Sequence, residues 1–295
     1  MLVADLRQDG RVRIDLHTHS NASDGTDTPA ELIRNAAAAG LDVVALTDHD
    51  TTSGWAEAVE ALPNGMTLVR GMEMSCSGLG EDGWPVSVHL LAYLFDPTDT
   101  VFAAERERLR AERVIRVRAM AERMAADGLP IDPEAVLASA GPSAGRPHLA
   151  RALVAAGVVP TVSAAFEDLL APRGRYYVEK ADTPLHKAVE MVAAAGGVSV
   201  VAHPRARSRG RLLALDEIRD LAGLGLAGIE VDHIDHSVAD RALLRELAHE
   251  LGLLMTGSSD YHGANKTIRL GEFTTDPDQF EKLADKASGV PVIVA

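Results

Sequence analysis

The chain has 295 residues, 46% of them hydrophobic, and 29 basic against 43 acidic side chains give a formal net charge of −14. That length and apolar content suit one large α/β domain or two smaller ones. The acidic balance excludes broad adhesion to long nucleic acid or to an anionic membrane, both of which need basic surface. No apolar stretch reaches transmembrane length and no basic n-region leads an apolar h-region, so a cytoplasmic protein is expected; the single cysteine, Cys76, is read as a packing residue.

From the N-terminus, VRIDLHTHS (12–20) reads as a strand with His17 and His19 two residues apart, so both imidazoles share a face. Convergent neutral imidazoles suit a metal ion, although strand-end histidines also serve simply to hydrogen-bond the backbone. Asp24 follows in the loop. A helix comes next, with Thr28 as N-cap, Pro29 at its first position, Glu31 in its first turn and Gly40 beyond its end. LDVVALTDHD (41–50) ends on His49, flanked by Asp48 and Asp50, which suit either orienting an imidazole or capping a helix start. MTLVRGMEMS (66–75) carries Glu73, and VSVHLLAYLF (86–95) holds His89 inside the run rather than at its end.

From Pro97 to Asp182 the rhythm breaks into helical patterns over 101–127, 133–139, 147–156 and 162–170, with no convincing strand before Tyr176. Residues 97–182 therefore read as a helical insertion, leaving 1–96 and 183–295 to the main domain. The insertion holds twelve basic and twelve acidic residues, so the remainder carries the whole negative excess. Its arginine run over 106–123 reads as a solvated helix face paired with nearby glutamates. GRPHLARAL (145–153) sets Arg146 and His148 at a helix start, and GRYYVEK (174–180) ends in Lys180. Cations so placed suit phosphate recognition at a cleft mouth as well as an ordinary surface. Tyr176 and Tyr177 suit base stacking or plain core and surface alternation.

Helical patterns return at 184–195, 211–223 and 237–251. Between and after them VSVVAHP (198–204) ends with His203 ahead of Arg205, LAGIEVDH (226–233) follows, and LLMTGSSDYH (253–262) ends with Asp260 and His262. A last apolar run covers 291–295. His186, His233, His236 and His249 receive no role, the last two being read as helical and exposed. Strands alternating with helices imply βα units and a parallel sheet, closed into a barrel because no GxGxxG follows the first strand. Metal-capable residues gather at the C-terminal strand ends, where the active sites of βα barrels assemble. Six histidines and three carboxylates, without a thiolate, suit Mn²⁺, Fe²⁺ or Zn²⁺.

The ordered motifs HTHS (17–20), TDHD (47–50), GMEMS (71–75), AHP (202–204) and SSDYH (258–262) resemble those of the polymerase and histidinol phosphatase (PHP) domain family. The resemblance implies an α/β fold, a distorted seven-stranded (β/α) barrel, with three divalent metal ions. His17, His19, Glu73 and Asp260 would hold the first, Asp24, His49 and His262 the second, and Glu73 would bridge to a third held by His89 and His203. Such a pocket is net positive and favours a phosphate dianion, and metal ions lower the pKa of a bound water to about 7. The insertion resembles that of stand-alone members that hydrolyse nucleotide phosphates, in which an RPH segment and a lysine after a tyrosine-containing strand line the cleft. Arg146, His148 and Lys180 thereby become the expected substrate-binding residues, with Arg205 a further candidate beside the AHP motif. The implied activity is hydrolysis of a phosphate monoester on a small nucleotide, a nucleoside 3′,5′-bisphosphate or AMP. A 5′-3′ exoribonuclease acting on short RNA ends and a non-catalytic metal-stabilised module are the alternatives.

Overall fold

In the computed structural model, which describes residues 12–141, 143–172 and 174–295, the first strand is much shorter than its apolar run. The first eleven residues assigned to the main domain lie outside the described residues. Only Ile14–Asp15 (β1) pairs in regular register, with Val43–Leu46 (β2). Side-chain bonds then replace the ladder: Thr18 Oγ1 donates to the Ala45 carbonyl at 2.6 Å, and the Thr18 amide donates to Thr47 Oγ1 at 3.1 Å. This substitution lets the chain curl outward so that residues 17–24 line one end of the sheet.

The remaining strands are Thr67–Leu79 (β3), Pro85–Tyr93 (β4), Thr183–Pro184 (β5), Val198–Ala202 (β6), Gly228–Asp232 (β7), Leu254–Gly257 (β8) and Ile293–Val294 (β9). The main path runs β1-β2-β3-β4-β6-β7-β8, a nearly closed barrel of seven strands, with β5 and β9 attached to β3. The expected parallel sheet is corrected at β4 and at β9, which pairs antiparallel with β3. A short turn, not a helix, joins β3 to β4, so β4 lies antiparallel to both β3 and β6. Its reversed direction carries the first half of β4 to the same barrel end as the last half of β3.

The helices are Pro29–Ala38 (α1), Trp55–Glu60 (α2), Thr100–Ala126 (α3), Pro133–Ser139 (α4), Arg146–Ala155 (α5), Val162–Glu167 (α6), Leu185–Ala194 (α7), Leu215–Gly223 (α8), Val238–Leu251 (α9) and Pro277–Lys286 (α10). Period-two alternation sorts the core around them. Val43 and Ala45 pack with Ile14, Leu16, Val69, Leu91 and Val200, whereas Val44 and Leu46 pack with Leu32 and Ile33 of α1. Cys76 is buried in that second, helix-facing set. Helices α3 to α6 share an apolar cluster of their own, including Val117, Met120, Met124, Leu149, Leu153 and Tyr176.

The arginine run on α3 departs from the solvated face expected of it. Arg116, Arg123 and Arg108 donate to the carbonyls of Val178 (2.8 Å), Tyr177 (3.0 Å) and Ala181 (2.7 Å). Arg106 donates to the Pro97 carbonyl at 2.6 Å, and Arg113 is buried against Asp50 and Ser75. Arg108, Arg110 and Arg118 nevertheless pair with Glu105, Glu107 and Glu134, as expected of the run. Polar staples thus supplement the buried stripe of α3, which is apolar at Phe102, Leu109, Val117, Met120 and Met124 and interrupted by Arg106 and Arg113.

β1 and β8 do not share a regular ladder, and buried Asp15 joins them instead. Its carboxylate accepts from the amides of Ser259 (3.1 Å) and Gly271 (2.9 Å), while the His19 amide donates to the Tyr261 carbonyl at 2.8 Å. Asp15→Ala strands the buried Ser259 amide and the half-buried Gly271 amide, at about 1–3 kcal/mol each. Urea unfolding should show a loss of about 2–5 kcal/mol; a loss within experimental error would mean that the closure rests elsewhere.

Candidate metal centre

Each strand end delivers its ligand-type side chain to one point. His17 and His19 leave β1, His49 follows β2 and forms a parallel bridge with Glu73 of β3, His203 follows β6, and Asp260 and His262 follow β8. His89 reaches the same place from within its run because β4 is reversed and sets it opposite Ser75 and Ala202. His203 and Asp260 sit at φ 30° and 55°, left-handed backbone that costs a non-glycine residue about 1–3 kcal/mol. Strain of this kind persists where the surroundings fix a functional geometry.

Three groups of ligand atoms result, each within 4.8 Å: His17, His19, Glu73 and Asp260; His19, Asp24, His49 and His262; and His49, Glu73 and His89. Several of the close contacts lack hydrogen-bond geometry. His89 Nδ1 lies 2.7 Å and His49 Nδ1 3.2 Å from Glu73 oxygens, and Asp260 Oδ1 lies 3.4–3.5 Å from His19 and His17 Nε2, yet these Nδ1 and Oδ1 atoms are buried without a hydrogen-bond partner. Buried polar atoms that approach without bonding one another point to a shared cation. The residues present therefore fit divalent metal ions. His203 Nε2 faces Glu73 Oε1 at 3.0 Å but stands outside the third group.

Electrostatics divides the histidines. Burial disfavours the charge on His17 and His19, but Glu73, Asp260 and Glu230 outweigh it at His17, which is raised well above its ordinary value, and the neighbouring Asp260 and Glu73 carboxylates raise His19 to about 9. Burial dominates at His49 and His262, and burial with Arg209 takes His203 down to about 3. For Asp24, Glu73 and Asp260 burial is overcome by neighbouring histidines, joined at Asp260 by Lys266, and all three carboxyls fall well below their usual range.

Several supporting residues were not legible as such. Glu230, fully buried on β7, faces His17 Nδ1 at 3.2 Å through Oε1 and accepts from the His203 amide at 2.8 Å through Oε2, so it orients two ligand residues at once. Asp48 accepts from the Ser20 amide (2.8 Å), the Ser20 hydroxyl (2.6 Å) and the Ser23 hydroxyl (2.6 Å). Asp50 accepts from the Ser75 amide and hydroxyl, each at 2.7 Å, and from Arg113. Neither aspartate caps a helix or orients an imidazole. Lys266 contacts Asp260 Oδ2 at 2.5 Å.

Among the residues expected to bind substrate, Arg146 lies over the rings of Phe166 (5.3 Å) and Tyr177 (5.8 Å) and donates to the Leu170 carbonyl at 3.1 Å. Lys180 is largely buried and paired with Asp182. His148 closes its own helix, its Nδ1 accepting from the Gly145 amide at 3.1 Å. Glu81 and Asp240 take the guanidinium of Arg205, while Arg209, four residues on, reaches Asp260 and His203. Tyr176 is buried in the insertion core, and Tyr177 carries Arg116 at 4.9 Å on its ring. His236 is neither helical nor exposed; it bonds the Val231 carbonyl at 2.8 Å and accepts from the Arg205 amide at 3.2 Å. His233 is buried with Nε2 3.4 Å from Asp260 Oδ2, whereas His186 and His249 are exposed on α7 and α9.

Comparison with known proteins agrees with this centre. The PHP domain family model matches residues 15–130. A 3′,5′-nucleoside bisphosphate phosphatase of Chromobacterium violaceum is 36% identical over 84% of this chain and 87% of its own. A 5′-3′ exoribonuclease of Haemophilus influenzae is 31% identical over 88% of this chain and 93% of its own. The crystal structure of a protein from Bifidobacterium adolescentis assigned as a metal-dependent phosphoesterase superposes with a TM-score of 0.86 at 38% identity, covering 93% of this chain and 96% of that one.

Two expectations follow for purified protein. Glu230→Gln keeps the volume but only one acceptor oxygen, so divalent-cation affinity measured against a chromophoric chelator should fall about 10- to 100-fold; an unchanged affinity would remove Glu230 from the supporting set. Stability after metal stripping should peak near pH 6.5, the ordinary histidine value. The raised His17 and His19 stabilise fully below it and lose their contribution as pH climbs, His19 through about 9, while the lowered His49, His203 and His262 stabilise above it and lose theirs as pH falls. The depressed carboxyls add a further loss below about pH 4. Saturating divalent cation replaces the protons on His17 and His19 and should flatten the alkaline limb of Tm against pH; an alkaline limb identical with and without cation would contradict the assignment.

Proposed function

Because the chain belongs to the PHP domain family and is a metal-dependent phosphoesterase, we propose that it hydrolyses a phosphate monoester of a small nucleotide, a nucleoside 3′,5′-bisphosphate or an AMP-like compound. We assign His17, His19, Asp24, His49, Glu73, Asp260 and His262, with His89 and His203, to as many as three divalent cations, of the Mn²⁺, Fe²⁺ or Zn²⁺ class. Bound there, such ions would supply an activated water and neutralise charge on the phosphoryl oxygens. Segment 97–182 is, in this reading, a unit that brings cations to the mouth of the centre; a cytoplasmic setting goes with a small-nucleotide substrate. The described residues include no helix long and apolar enough to cross a membrane.

The observation that carries the substrate class is the state of Arg146. Two aromatic rings and one carbonyl hold its guanidinium, and among the described residues no carboxylate forms an ion pair with it. Arg113, Arg116 and Arg209 are close enough to lower its pKa, next after burial, to about 10. A fixed, unmatched guanidinium among other cations favours an anion with two acceptor oxygens, such as a phosphate. Lys180, already matched by Asp182, adds a weaker positive field. A second phosphate anchored at Arg146 while the first is hydrolysed makes a bisphosphate the better substrate.

A charge-assisted contact contributes about 1.5–3 kcal/mol, so Arg146→Ala should lower kcat/KM for adenosine 3′,5′-bisphosphate roughly 10- to 150-fold and for AMP far less. Lys180→Ala should lose less than Arg146→Ala on the bisphosphate. Phosphate release from both nucleotides and from a short 5′-phosphorylated RNA checks this. Equal losses on the two nucleotides would sink the anchor, and a wild-type preference for the RNA would favour the exoribonuclease reading.

A further inference from the structure

Arg209 stands at the place where the third ligand group would gain His203. One terminal nitrogen lies 2.9 Å from His203 Nε2, the atom that faces Glu73 Oε1 at 3.0 Å, and the other lies 2.8 Å from Asp260 Oδ2. Asp235 Oδ2 meets both Nε, at 3.0 Å, and the nitrogen that holds Asp260, at 2.9 Å. Asp260 Oδ1, the oxygen turned toward His17 and His19, is not the atom Arg209 holds. The guanidinium therefore competes for the third position alone, not for the first.

A neutral imidazole nitrogen offers one lone pair, and arginine stays protonated in proteins, so His203 Nε2 accepts either the guanidinium or a metal ion. The side chain is 36% exposed and comes from a single helical turn, Arg207–Arg209, closed by Gly210 at φ 113°. It can withdraw onto Asp235 without moving a barrel strand. We propose that Arg209 and a third divalent cation are alternative occupants of the His203–Glu73 pair, so that the third ion binds conditionally while the first two groups fill without regard to Arg209. The inference rests on the metal-centre reading and extends it: Asp235 is the dock of the displaced arginine, and the pair sets how many ions the site holds at a given metal concentration.

The test is a titration of metal-stripped full-length protein with Mn²⁺, free ion being read by electron paramagnetic resonance, for the wild type, Arg209→Met, Asp235→Asn and the double variant. Two equivalents should bind with similar affinity throughout, which also reports an intact fold. A third should bind roughly 10-fold or more tightly in Arg209→Met, because the competing occupant is gone. Asp235→Asn should weaken the third equivalent, and should have no effect once Arg209→Met is present. A third equivalent left unchanged or weakened by Arg209→Met would overturn the competition. Fewer than two equivalents in the wild type would instead overturn the metal-centre reading itself.

Discussion

Seven carboxylates buried at one end of a barrel are the constraint around which this molecule is built: Asp15, Asp24, Asp48, Asp50, Glu73, Glu230 and Asp260. A buried charge is tolerated only when it is answered by donors or by opposite charge. Four of them are answered by the chain. Amides hold Asp15, serines hold Asp48, Ser75 and Arg113 hold Asp50, and His17 with the His203 amide holds Glu230. Asp24, Glu73 and Asp260 face clustered imidazoles; Arg209 and Lys266 hold Oδ2 of Asp260, but its Oδ1 has no hydrogen-bond donor among the described residues. The division separates carboxylates that hold the framework from those whose oxygens turn toward the clustered imidazoles.

The same constraint explains α3. Its arginines work in two directions, Arg106, Arg110 and Arg113 toward Thr52, Thr51 and Asp50, and Arg108, Arg116 and Arg123 toward the returning segment 177–181. One helix thus braces the loop after β2 and the segment bearing Lys180 together. Because Asp50 anchors Arg113 and precedes the strand whose Glu73 is central, the cationic and ligand-bearing halves of the site share one hydrogen-bonded frame.

How much of this the sequence discloses depends on whether a residue's partner is local. HTHS, TDHD and SSDYH stand out because polar, metal-capable residues close apolar strands, and the helix over 29–38 is marked by its own cap and proline. The reversal of β4 was not legible, since alternation has the same period in either direction, although the Gly80, Asp82 and Gly83 turn was a signal for a hairpin. Glu230 was hidden because a glutamate in a strand pattern reads as the solvent face. Arg205, Arg207 and Arg209 differ only by the turn that follows His203, so spacing could not tell which of them points inward. Likewise nothing local distinguishes Arg113, which is buried, from Arg118, which is not.

The way the barrel closes has a consequence for chain entropy. Its first and last strands meet through Asp15 and isolated bonds, and the group His17, His19, Glu73 and Asp260 draws ligands from both sides of that junction. An ion shared by His19 and Asp260 is a cross-link between residues separated by most of the polypeptide. Cross-links that close long loops restrict the unfolded ensemble most, by about 4–5 kcal/mol for loops of 100 residues or more in the entropic account. The centre would then act as a reversible clasp, holding the termini of the fold together as a disulfide does in proteins from oxidising compartments.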